Sequence, residues 1–198
     1  MQRLLLSFFL ITTSLMVNAQ QDTLWRKGGL LSLNFSQVSL TNWAAGGQNS
    51  IAGNAIVNYF ANYKGGKNAW DNFADLGYGL IMQGKKSKLL KSDDKIELGT
   101  KYGRKTSTYW YYSALANFRS QFTAGYNYPN DSTIISTFFA LAYLTLAPGM
   151  DYKPNDFFSL FLSPASMRFI FVMDKALSDS GAFGVDRGKC QHEFANLA

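Results

Sequence analysis

WRKGGLLSLNFSQVSLTNWAAGGQNSIAGNAIVNYFANY, residues Trp25 to Tyr63, holds two extended segments separated by a polar connection and framed by aromatic side chains. Its second half, Asn49 to Tyr63, decides the fold. Read with a period of two, one face carries Ile51, Gly53, Ala55, Val57, Tyr59, Ala61 and Tyr63, and the other includes Ser50, Asn54, Asn58 and Asn62. Such alternation marks a strand whose two faces meet different surroundings. In a dry core each of the three asparagine amides would cost about 1–3 kcal/mol if left without a partner, so that face belongs to water and its opposite to an apolar medium. Gly28 to Ser36 repeats the pattern, with Leu31, Leu33 and Phe35 against Leu30, Ser32 and Asn34. The two segments predict a first β-hairpin.

The same period runs onward. Ala69 to Gln83 sets Trp70, Leu76, Tyr78, Leu80 and Met82 against Asp71, Asp75, Gly77, Gly79 and Gln83. Lys95 to Lys105 splits almost completely, with Ile96, Leu98, Thr100 and Tyr102 opposite Lys95, Glu97, Gly99, Lys101, Gly103 and Lys105. Tyr109 to Ala124 opposes Trp110, Tyr112, Ala114, Ala116, Phe118 and Phe122 to Ser113, Asn117, Arg119 and Gln121. Ile134 to Tyr152 is apolar on both faces and carries Pro148, which predicts a bend or bulge. Phe157 to Leu162 and Arg168 to Met173 are the last two predicted strands. Segments this long, apolar on one side and polar on the other, fit an antiparallel transmembrane up-and-down β-barrel of eight or more strands.

The connections point the same way. They run over residues 37–48, 64–68, 84–94, 106–108, 125–133 and 153–156, which is 12, 5, 11, 3, 9 and 4 residues. Long and short alternate, as they do where short turns face the periplasm and longer loops face outward. With that orientation Trp25, Tyr63, Trp70, Trp110, Tyr152 and Phe157 all fall at periplasmic ends and predict an aromatic girdle at the headgroup level. Trp43, Phe122 and Tyr126 are the expected outer counterpart. A secreted sandwich or lipocalin-like barrel also alternates, but its apolar face points inward and its loops need not alternate in length.

Composition agrees with an exported, charge-poor chain. The 198 residues include 16% aromatic and 16% charged residues, against a usual charged share of about 25%. Beyond residue 17 no run of about 18 apolar residues is available to form a spanning helix. Residues 1–19 have a basic start (Arg3), an apolar stretch from Leu4 to Leu10 and the small-residue ending Val17-Asn18-Ala19, which predicts a signal peptide cleaved near Ala19. Removing it takes the formal charge from +6 to +5. The charges are scattered, so anionic lipid headgroups or sugars fit better as partners than nucleic acid. Cys190 is the single cysteine, which excludes an intramolecular disulfide and a thiolate metal site.

Few residues offer chemistry. The one histidine, His192, has no partner pattern for a nucleophile or a metal. Gly65-Gly66-Lys67 lacks the spacing of a phosphate loop and reads as a tight turn. No enzyme, cofactor or metal is expected. The notable constellation is Asp71, Asp75, Lys95, Glu97, Lys101 and Arg119, which alternation places on one shared face of three successive strands. It is open to two readings: an ion- or sugar-selecting lumen, or a salt-bridge network filling a narrow interior. Lys85, Lys86, Lys88 and Lys91 form a basic cluster in an expected outside loop, either simply solvated or touching anionic headgroups.

Several blocks carry a resemblance. Gly28 to Gly47 (GGLLSLNFSQVSLTNWAAGG), Lys91 to Lys95 (KSDDK), Gly125 to Ser132 (GYNYPNDS) and Gly149 to Asp156 (GMDYKPND) together resemble the domain-of-unknown-function family 3078, over roughly residues 25 to 185. Its members are exported Bacteroidota proteins assigned to the outer membrane and have no established activity. The resemblance therefore implies architecture and location, not chemistry. After Gly181 to Val185 the chain departs from the family pattern, and Asp186 to Ala198 lacks alternation, which predicts a truncated or frameshifted end and a barrel that does not close.

The expected organisation is a signal peptide over 1–19, a lead-in over 20–27, barrel strands over 28–174 and an irregular tail over 175–198. The expected setting is the outer membrane of a Gram-negative bacterium, with outer-membrane lipid and other envelope proteins as partners. Three functions stay open: a structural or assembly-linked barrel with a filled lumen, a small pore or ligand-binding barrel for polar solutes, and a soluble periplasmic β-protein that binds a ligand or partner.

Overall fold

The structure, a computed structural model, describes residues 24–40, 47–84, 88–126, 134–136, 138, 141–155, 157–173, 179 and 191–197. Residues 1–19, read above as a signal peptide, and Trp43, Lys85, Lys86, Cys190 and the Gly181 to Val185 block lie outside these residues. The chain forms β1 (Trp25–Val38), β2 (Ser50–Gly65), β3 (Asn68–Gln83), β4 (Leu89–Lys105), β5 (Trp110–Ser120), β6 (Gly125–Tyr126), β7 (Ile134–Ser136), β8 (Ala142–Asn155), β9 (Phe158–Leu162), β10 (Ala165–Phe171) and β11 (Gln191–Leu197). All but β6 and β7 belong to one nine-stranded sheet in the order β1-β2-β3-β4-β5-β8-β10-β11, with β9 also on β8. Every pairing is antiparallel. The chain is all-β, an up-and-down meander.

The registers explain the strand ends. Turn residues Gly66 and Lys67 join β2 to β3, with Gly66 at φ +56°, a left-handed conformation that glycine adopts without steric cost. β4 begins at Leu89, six residues before the expected Lys95, because a bulge hides its start. Gly79 pairs with Asp93 and Leu80 with Lys91, which leaves Ser92 as the extra residue. A bulge slips the period by one, so alternation read from the sequence breaks there although pairing continues. β5 stops at Ser120, not Ala124, where Asp94 accepts hydrogen bonds from the backbone N–H groups of Phe122 (2.6 Å) and Thr123 (3.0 Å).

Three further expectations are corrected. The single strand Ile134 to Tyr152 is two elements: Ile134–Ser136 pairs with β6 in a separate two-stranded sheet, and β8 starts at Ala142. β8 starts where its partners stop, β5 at Ser120 and β10 at Phe171. The predicted strands Phe157 to Leu162 and Arg168 to Met173 are halves of one lane, since β9 pairs with one end of β8 and β10 with the other. Pro164 and Ser163 interrupt them, and proline cannot donate to a ladder. The tail expected to be irregular contains a strand, β11, paired to β10 from Ala165↔Leu197 to Phe171↔Gln191. His192 sits in it, at register with Ile170. Backbone pairing does not require the side-chain alternation that the tail lacks.

Among the described residues the sheet is not closed: β1 ends it on one side and β11 on the other. It is nevertheless strongly curled. Asp71 leads by register to Lys101, Leu115 and Ala147, so Lys153 stands three strands away and six residues further along. In a flat sheet that is about 14 Å across and about 20 Å along, yet Lys153 Nζ lies 2.9 Å from Asp71 Oδ2. The wall therefore bends toward the charged face with its strands tilted to the axis of curvature, as barrel walls tilt.

The two faces differ as predicted. Leu31, Leu33, Phe35, Ile51, Val57, Tyr59, Leu98 and Tyr112 are exposed on the convex side. Among the described residues the buried apolar set is small and consists of Ala69, Ile96, Ala142, Ala147, Ile170 and Val172.

Candidate functional site on the concave face

The six charged residues grouped from the sequence do share the concave face, but the structure divides them into two clusters. One centres on Glu97. Arg119 forks onto it, Nε to Oε1 at 3.0 Å and Nη2 to Oε2 at 3.1 Å. Lys95 Nζ reaches Oε2 at 2.9 Å and stands 3.9 Å from Asp75. Asn117 donates to Glu97 Oε1 at 3.2 Å, and Asn58 donates to Asp75 Oδ1 at 2.9 Å. Register accounts for this grouping: Asp75 faces Glu97, and Glu97 faces Arg119. The asparagine row of β2 thus finds polar partners, and Asn54 likewise accepts from Asn34 at 2.9 Å.

The other cluster centres on a residue outside the expected set. Asp151 on β8 is 1% exposed and holds Lys101 at 2.8 Å, Lys153 at 3.3 Å and the Ser159 hydroxyl at 2.8 Å. Lys153 also closes onto Asp71 at 2.9 Å. Here curvature, not register, makes the contacts, because β3 and β4 meet β8 across intervening strands. Phe161 lies beneath, with Lys101 Nζ 5.8 Å from its ring centre. The ring fits because Gly149 is there: a Cβ at that position would meet Phe161 at 3.0 Å and also strike the Leu162 carbonyl.

Asp151 and Lys153 both lie outside the expected set: Asp151 is near the end of a predicted strand that is apolar on both faces, and Lys153 falls in the predicted connection 153–156, whereas β8 runs on to Asn155. Their spacing of two, which puts them on one face, was the available signal.

The expected girdle residues form two groups along the edge bearing the β2–β3, β4–β5 and β8–β9 turns. Trp25 packs on Tyr63 (5.3 Å between ring centres) and on Trp70 (5.7 Å), and Trp110 packs on Tyr152 at 4.9 Å. Tyr109 joins the second group at 6.2 Å from Tyr152, and Tyr102 lies opposite Trp70 in register. Phe157 is fully exposed. At the other end Phe122 stacks edge-on to Tyr78 at 6.4 Å. Lys91, assigned to a loop from the sequence, belongs to β4 and binds Asp94 at 2.8 Å and the Thr123 carbonyl at 2.9 Å.

Among the described residues no group of three or more His, Cys, Asp or Glu side chains is arranged to hold a metal ion, and no helix is long and apolar enough to cross a membrane. The arrangement is that of an all-β protein with a curled antiparallel sheet and an ion-paired concave face. Residues 35–126, from β1 to β6, match the model of the family described as "Protein of unknown function (DUF3078)", the family that the sequence blocks resemble. No curated protein and no solved structure matches the chain.

Proposed function

We propose that this chain is an exported outer-membrane β-barrel protein with a structural or assembly-linked role, its concave face forming a lumen filled by ion pairs. One observation carries the reading: large apolar side chains stand in the open along the convex face, Leu33 at 75% and Phe35 at 72% exposure, while the charged and amide side chains pair with one another on the other face. A water-soluble sheet puts its apolar face inside; a membrane barrel puts it outside. The main strands run from 11 residues in β5 to 17 in β4, enough for the roughly 9–11 residues that cross a bilayer. The aromatic groups at the turn-bearing edge suit a headgroup interface. The reading assigns no catalytic step and no cofactor.

Cell fractionation tests it. The protein is expected in the outer-membrane pellet after carbonate extraction, with a gel mobility that changes on boiling. Release into carbonate with a single mobility would return the chain to the soluble periplasmic class.

A further inference from the structure

Beside the Glu97 cluster lies a hollow of about 520 Å³ whose lining includes Asp94, Lys95, Arg119, Gln121, Tyr143 and Arg168. Its charge is unbalanced. Asp94 is occupied by Lys91 and by the Phe122 and Thr123 amides. Glu97 is shared between Lys95 and Arg119, and Asp75 is 3.9 Å from Lys95. Arg168 has no carboxylate partner among the described residues; its guanidinium is held 5.4 Å from the Tyr143 ring centre. Gln121 accepts from the Ser136 hydroxyl at 3.2 Å, and its Nε2 is buried with no acceptor among the described residues.

A guanidinium stacked on an aromatic ring keeps its planar fork free and oriented, and that fork matches an oxoanion in two hydrogen bonds. We propose that this hollow binds the oxoanion group of a small solute, a carboxylate, sulfate or phosphate, with Arg168 as the principal ligand and Lys95 and Arg119 completing the positive wall. The hollow has the size of small-molecule sites. Lys95, Arg119 and Arg168 stand on the same face as Glu97 by register and alternation, away from the apolar face, so the anion arrives from water and not as a bilayer lipid.

Calorimetric titration of the purified full chain in a neutral detergent tests this, with inorganic phosphate, acetate and uncharged glucose as separate probes. Saturable one-to-one binding of phosphate or acetate is expected, with none of glucose. Arg168→Gln should weaken it by about tenfold or more, the loss of a charge-assisted pair, and Lys153→Gln, in the other cluster, should leave it within a factor of about two. Arg168→Lys, which keeps the charge and loses the fork, covers the case of a misfolded Arg168→Gln and should fall between that variant and the native chain. Absence of saturable binding, equal binding by Arg168→Lys and native chains, or an equal loss in Lys153→Gln would overturn the site. The titration reads the anion and the carbonate extraction reads the membrane, so either can fail alone.

Discussion

The two ion-pair clusters use the same chemistry in different settings. In the Glu97 cluster adjacent strands meet by register and the cations stay wet: the side chain of Arg119 is 56% exposed and that of Lys95 48%. In the Asp151 cluster strands that are not neighbours meet through curvature, and a nearly inaccessible carboxylate sits between two lysines that are about one-fifth exposed. Register places charges cheaply and leaves the cations solvated. Curvature buries them, and each then depends on its partners.

Removing the centre of each cluster is the most direct way to break the contrast. Asp151→Ala leaves Lys101 and Lys153 facing each other without their shared anion, and should cost about 3 kcal/mol, read as a lower urea midpoint by tryptophan fluorescence. Glu97→Gln keeps the shape of its site and faces exposed cations; solvent screening limits its cost to about 1 kcal/mol in the same measurement. If the two losses came out equal, burial would not be what separates the clusters.

Asp71→Asn sharpens the comparison within one cluster. Lys153 retains Asp151 at 3.3 Å, so a loss of roughly 0.5 kcal/mol is expected, and a loss as large as that of Asp151→Ala would make Asp71 the true centre. The smallest effect concerns coupling. Four residues of strand separate Asp71 from Asp75 and Lys101 from Glu97, about 13 Å, so Asp151→Ala and Glu97→Gln should add to within about 0.5 kcal/mol. A larger interaction energy in the double-mutant cycle would merge the clusters into one network.

Alternation made most of the wall legible. β1, β2 and β3 lie within three residues of their expected limits at each end, because an uninterrupted period of two depends only on which face is wet. The charged face was legible for the same reason. Reading failed where the ladder is irregular: at Ser92, where one extra residue shifts the period; at Pro164, which splits one lane into two; and beyond Ser120, where a strand ends because its partner does. It failed at Asp151 because long-range curvature has no local signature, and the pattern around Met150 and Tyr152 says nothing of Lys101, two strands away in the sheet. The tail shows the limit from the other side: β11 pairs through backbone groups, to which side-chain periodicity is blind.

The edge of β1 has a consequence of its own. Over its 14 residues half of the backbone groups turn toward β2 and the rest face away, on the order of seven N–H and seven C=O groups. In water these are hydrated at little cost. In hydrocarbon each would cost several kcal/mol, a total several times the 5–15 kcal/mol that typically holds a domain together. Lipid would therefore act on this molecule as a selector of hydrogen-bond partners, admitting the curled sheet only when another strand, from this chain or a neighbour, runs along Trp25 to Val38.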